Sequence, residues 1–220
     1  MIVDVKSPIT LVGGAHFGSE ILNECLTIAP NLVAADGGAN AAVAHGHIPL
    51  AVIGDFDSLD RTSRDAVPAD RLHQIDEQDS TDFQKAMGRI RAPLVLAVGF
   101  TGARVDHELA VYSAMVHPGF SPCIVIGEHD IVFAAPPKVT IDLDPQTRVS
   151  LFPMVRVTGH SEGLRWPIQG LEFAPNARFG TSNMATKGPV TLSFDRPGML
   201  VILPRKSLHA AIAGLSNSGR

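Results

Sequence analysis

Short apolar runs of β type alternate with helical patterns through the first part of the chain, at residues 9–12 then 19–29, 32–35 then 39–45, 52–53, and 94–98 then 105–116. A chain that repeats strand then helix does not build hairpins, so the alternation predicts parallel strands joined by crossover helices. In the first helical stretch Ile21, Leu22, Cys25, Leu26 and Ala29 share one face, and Ser19 stands where an N-cap belongs. A further helix is expected to open at Thr81, where Thr81 and Gln84 have capping-box spacing and Phe83, Met87 and Ile90 recur on one side. Beyond 123–126 and 131–134 the texture changes. After Pro136 and Pro137 come β-rich pieces at 139–143, 148–152, 155–158, 171–173, 190–194 and 200–203, with turn residues between them and no useful helical period between Pro137 and Pro204. The expected fold is an α/β N-terminal domain with a mostly parallel sheet, residues 1–135, followed by an all-β sandwich domain, residues 136–220.

Composition narrows the partners. At 45% hydrophobic and 18% charged residues over 220 positions, the chain lies far from the regime of disorder. Its formal charge of −4 gives no footprint for nucleic acid or an anionic membrane, which call for clustered Lys and Arg. Cys25 and Cys123 each lie in an apolar stretch, which argues against a disulfide scaffold or a cysteine metal site and fits a cytoplasmic location. Asp4 stands where a secretory signal carries its basic region. The uncharged run 109–126 is split by His117, Pro118, Gly119 and Pro122, so no membrane span is expected.

The acids fall at one kind of place. Asp36 follows an apolar run, Asp55 and Asp57 follow another, Asp79 and Asp82 precede a helix, and Asp106 follows the loop after 94–98. In an open parallel sheet such junctions share the carboxyl edge, where ligands bind. Carboxylates gathered there repel one another unless a cation joins them, and a hard divalent ion such as Mg²⁺ carrying a polyphosphate is the economical partner. Each acid also has a plainer reading: Asp36-Gly37-Gly38 as a turn, Asp55-Phe56-Asp57-Ser58 as an Asx-turn or N-cap, Asp79 and Asp82 as acids favoured by a helix start. Gly13-Gly14 with Gly18 could let backbone approach a nucleotide, although neither the G-x-G-x-x-G nor the P-loop pattern is present. Arg104 can fork two phosphate oxygens or pair with a neighbouring acid. His107 is a weaker candidate base. His45 and His47 around Gly46 read as a helix end, and Trp166, the only tryptophan, reads more readily as core than as a ligand platform.

Taken in order, Ala35-Asp36-Gly37-Gly38-Ala39-Asn40, Gly54-Asp55-Phe56-Asp57-Ser58, Gln78-Asp79-Ser80-Thr81-Asp82 and Gly102-Ala103-Arg104-Val105-Asp106-His107 resemble the thiamine pyrophosphokinase family. Gly163-Leu164-Arg165-Trp166 and Thr181-Ser182-Asn183 extend the likeness towards the C-terminus. The resemblance implies an Mg-ATP-binding α/β domain, a β-sandwich, and a homodimer with thiamine at its interface. It also implies transfer of a pyrophosphoryl group from ATP to thiamine. By motif position, Asp55, Asp57 and Asp82 would lead the metal site, with Asp79 and Asp36 in support. Gln78 and Asp106 would hold thiamine and its hydroxyl, with Arg104 beside them in the catalytic set. Asp36, Gly37, Gly38, Asn40, Ser58 and Thr81 would line the nucleotide side, and Trp166, Ser182 and Asn183 the thiamine pocket. Two departures stand out: Ala103 where the family commonly has a second glycine, and Gly180 where a serine is common. Two rival functions are a transferase using Asp55-x-Asp57 to clamp a nucleotide sugar, and a non-enzymatic nucleotide sensor.

Overall fold

The computed structural model describes residues 1–218, which form two compact units, one ending at Glu128 and the other beginning at His129. The first unit runs β1 (Val3–Asp4), β2 (Ile9–Val12), α1 (Ser19–Ile28), β3 (Asn31–Ala35), α2 (Gly38–Ala44), β4 (Ala51–Gly54), α3 (Arg61–Ala66), β5 (Leu72–Gln74), α4 (Asp82–Met87), β6 (Ile90–Arg91), β7 (Val95–Val98), α5 (Val105–Met115) and β8 (Cys123–Ile126). Its sheet has the order β8-β7-β2-β3-β4-β5 with every pairing parallel. All four residues of β2, β4, β7 and β8 are buried. Such strands are covered on both faces, which is why they read as unbroken apolar runs. The one polar residue among them, Thr10, donates its hydroxyl to Ala29 O at 2.7 Å and ties the end of α1 to β2.

Two local expectations are corrected. The N-cap of α1 is Gly18, in extended conformation and without a side-chain cap, so Ser19 is already helical. The Glu20 carboxylate folds over Gly18, where any Cβ would meet it at 2.2 Å. The helix at Thr81 opens with the expected capping box but ends at Met87, because Ile90 leaves it to pair with Val3 in the short β1–β6 ladder. Helix α3 was not foreseen. Its signal was present in Asp60, whose carboxylate accepts the Ser63 N–H at 2.7 Å.

In the second unit β9 (Asp130–Ala134), β10 (Lys138–Ile141), β11 (Arg148–Pro153), β12 (Val157–Glu162), β13 (Leu171–Phe173), β14 (Gly180–Met184), β15 (Val190–Phe194) and β16 (Met199–Pro204) form the antiparallel orders β14-β11-β16-β9 and β10-β15-β12-β13. Residues 130–134, which the sequence reading set before the boundary at Ala135, pair here with β16. The unit is not all β. Helix α6 (Leu208–Asn217) buries Leu208, Ala211 and Gly214. Gly214 lies so close to β10 that a Cβ would stand 2.8 Å from Thr140 O, so the missing side chain is what lets helix and strand touch. Val155 is exposed and precedes β12, while the polar run of β14 carries no apolar alternation by which to find it. Among the described residues no helix is long and apolar enough to cross a membrane.

Candidate active site

Strand order reverses beside β2: its chain successor β3 lies on one side and β7, the start of the return path, on the other. At such a reversal the loops leaving the two strands diverge and open a crevice at their carboxyl ends. A cavity of about 300 Å³ lies there, with Gly13, Gly14, Asp36, Ser58, Thr81, Asp82, Phe100 and Arg104 among its walls. Its loops pack tightly. A Cβ on Gly13 would stand 2.5 Å from Gly99 O, and one on Gly38 would stand 2.1 Å from Val12 O. Gly14 differs, since a Cβ there would meet the backbone of Gly37 and Gly38 only at ordinary contact distance, 3.8 and 3.9 Å.

Asp36 directly follows β3 with φ +41° and is only 1% exposed. One carboxylate oxygen, Oδ2, accepts the Ser58 N–H at 3.1 Å, whereas Oδ1 is buried with no partner among the described residues. Burial raises its pKa, against the pull of N–H groups from Gly37, Ser58 and Phe56. Gly54 allows this approach, because a Cβ there would meet Asp36 Cβ at 2.6 Å. Phe56, at φ +68°, turns the chain between Asp55 and Asp57, and the Asp57 N–H donates to Asp55 Oδ1 at 3.3 Å. The result is a triad: carboxylate oxygens of Asp36, Asp55 and Asp57 lie within 4.8 Å of one another. Asn40 braces the loop by donating to Ser58 O at 2.8 Å and accepting the Asp60 N–H at 3.1 Å.

Sequence reasoning missed Lys85. This residue is 2% exposed, and its Nζ lies 2.7 Å from Asp55 Oδ2 and 3.7 Å from Asp82 Oδ1. Burial works against its charge, but Asp55 and Asp82 outweigh burial and raise its pKa, while Lys85 in turn lowers that of Asp55. The i,i+3 spacing of Asp82 and Lys85 on α4 was the legible signal. Burial and then repulsion from Asp36 raise the pKa of Asp82 itself. Gln78 donates to Asp55 Oδ2 at 3.5 Å. Asp79 is exposed and outside the triad, and its N–H donates to Glu77 at 2.9 Å. Thr81 serves as the cap of α4 and also lines the cavity.

Arg104 and Asp106 form a two-pronged pair, Nε to Oδ1 at 3.1 Å and Nη2 to Oδ2 at 2.7 Å. This contact holds the Asp106 carboxyl at about 2. Arg104 and His107 line the cavity. In the second unit a separate hollow of about 240 Å³ is lined by Trp166, Phe173, Phe179, Thr181 and Asn183. Trp166 is 53% exposed, so it is not core. The Asn183 amide is occupied in fixing it: Oδ1 accepts the Trp166 N–H at 3.2 Å and Nδ2 donates to Trp166 O at 2.7 Å. Ser182 is exposed at φ +60°, and its N–H donates to Ser150 Oγ at 3.0 Å.

Residues 22–126 match the family model described as thiamin pyrophosphokinase, catalytic domain. No curated relative matches the chain by sequence. Among solved structures, the thiamin pyrophosphokinase from Candida albicans is similar in fold at 14% identity and a TM-score of 0.75, over 90% of this chain and 89% of that one. The thiamin pyrophosphokinase from Geobacillus thermodenitrificans is similar at 21% identity and 0.73, over 90% and 96%, and that from yeast at 15% and 0.74, over 91% and 87%. At these identities the structural likenesses speak for the fold, and the family model speaks for the unit that holds the acidic triad. Residues 22–126, which carry that triad, thus match the catalytic domain of the thiamin pyrophosphokinase family.

Proposed function

We propose that the chain is a thiamine pyrophosphokinase, converting thiamine and ATP to thiamine diphosphate and AMP. The observation that carries this reading is the buried, unpartnered Asp36 Oδ1 beside Asp55 and Asp57, in the cavity where strand order reverses. A buried carboxylate oxygen without a donor is costly, and a cation removes the cost. Three oxygen donors suit a hard divalent ion, so Asp36, Asp55 and Asp57 would hold Mg²⁺, with Asp82 near enough to serve its waters or the phosphates. When bound, that ion would share the charge on the phosphate oxygens.

The chain's residues position and polarise. In the reaction the thiamine hydroxyl oxygen bonds to the β-phosphorus of ATP as the bond from that phosphorus to the α,β-bridging oxygen breaks. AMP leaves, and the hydroxyl proton passes to solvent. No covalent enzyme intermediate is required. Gly14 leaves room for the nucleotide. Arg104 spends two of its five N–H groups on Asp106 and keeps three for phosphate oxygens. A carboxylate with a pKa of about 2 is a weak base, so Asp106 orients the hydroxyl rather than removing its proton. In this reading the second unit is a β-sandwich whose exposed Trp166 offers a face to the cationic thiazolium, and a second copy of the chain completes the thiamine site. The family match favours this function over the sugar-nucleotide and sensor readings.

The product distinguishes the possibilities. Incubated with thiamine and Mg-ATP labelled at the β-phosphorus, the protein is expected to release unlabelled AMP and place the label in thiamine diphosphate. Labelled ADP with thiamine monophosphate would instead mark an ordinary kinase, and absence of any nucleotide product would favour the sensor.

A further inference from the structure

Lys85 is an unusual residue to find at this site. Its side chain is 3% exposed, on a helix of six residues, and its ammonium pairs with Asp55 and Asp82. Asp55 is shared by its two edges. Oδ2 takes Lys85 at 2.7 Å and Gln78 at 3.5 Å, whereas Oδ1 takes the backbone N–H of Asp57. The same ammonium lies 3.7 Å from Asp82 Oδ1, so it spans Asp55 and Asp82, while carboxylate oxygens of Asp36, Asp55 and Asp57 lie within 4.8 Å of one another.

We propose that Lys85 is a resident cation that reserves the Asp55–Asp82 side of the cluster, orients Asp55 towards Asp36 and Asp57, and limits the nucleotide-free protein to one divalent ion. The inference deepens the metal reading above and rests on it. Four carboxylates gather here, and a single divalent ion leaves an excess of two negative charges. A fixed ammonium reduces that excess to one and does so without a solute. An ammonium also cannot give up its place as a hydrated ion can, because its stem is packed in the core. Lys85 is thus a positioning residue for Asp55 and a specificity device for the number of ions taken up.

Two measurements test this. The sequence has five lysines, so ¹⁵N-lysine labelling gives a simple ammonium spectrum. In the wild-type chain the slowly exchanging Lys85 signal should persist at saturating Mg²⁺ and broaden selectively with Mn²⁺. Its loss with Mg²⁺ would mean that the metal displaces lysine from Asp55, which overturns the proposal and needs no variant. Mn²⁺ binding without nucleotide, followed by electron paramagnetic resonance, should give one ion per wild-type chain and two per Lys85→Met chain. One ion should be restored in Asp82→Asn/Lys85→Met, and Lys85→Arg should retain one throughout. A folded Lys85→Met chain that still binds one ion would show lysine to be only a structural counter-ion. Failure of wild-type to bind Mn²⁺, or binding unchanged in Asp36→Asn, would remove the metal reading itself and this inference with it.

Discussion

At the scale of single residues, the clearest separation of stability from activity is at Asp36. Its charge is opposed by burial, and its positive φ is one that asparagine adopts readily. Asparagine keeps an oxygen for the Ser58 N–H and loses the charge. Asp36→Asn should therefore melt at or above the wild-type temperature while turnover falls by about two orders of magnitude or more. Calorimetry beside a product assay checks both, and a variant destabilised with turnover intact would return Asp36 to the role of a turn former. The sequence marked Asp36, Asp55 and Asp57 because each follows an apolar run. The motif resemblance set Asp36 in support behind Asp55, Asp57 and Asp82, since which oxygen is left without a donor is a matter of tertiary packing. Lys85 was hidden for the same reason: a lysine in a helical stretch reads as exposed until the acids around it are placed.

Secondary-structure elements explain which glycines serve the fold and which serve the ligand. Gly38 opens α2 against the end of β2, so Gly38→Ala should cost about 1–3 kcal/mol by overpacking backbone. Gly14 has room for a methyl and no positive φ, so Gly14→Ala should be neutral or stabilising by up to about 1 kcal/mol, with a raised KM for ATP. Denaturant titration and ATP kinetics on the pair read out both effects; equal losses of stability would contradict the division. The core strands of the first unit were legible because burial on both faces makes them uniformly apolar. Short elements governed by pairing or caps were less so: α3, β5 and β14 lack a hydrophobic period, and α6 lay past the last β-rich piece. Read from its segment alone Trp166 favours the core, because an aromatic in a β-rich segment carries no sign of which way it points; it is exposed, and the Asn183 amide fixes its backbone.

For the whole molecule, the open question is how many copies make a site. Trp166 and Phe179 are exposed in the second unit and Val105 and Leu109 in the first, apolar surface of the kind that marks partner or ligand contacts. A homodimer is expected in sedimentation at working concentrations. Because Trp166 is the only tryptophan, its emission should change with thiamine, and Trp166→Ala should raise KM for thiamine far more than for ATP. A fully active monomer, or an unchanged thiamine KM, would leave the ATP cavity standing and dismiss the shared thiamine site.

The brevity of α4 has a consequence of its own. Six residues are too few to hold a helix in water, so its shape is borrowed from the capping box and from buried Phe83 and Met87. Asp82 and Lys85 ride on it, and neither can be in place while the surrounding core is open. Amide exchange with deuterium should thus be as slow in α4 as in β4, both opening only with the whole unit. The acidic site would then vanish in one step on unfolding, with no partly folded form able to hold its ion.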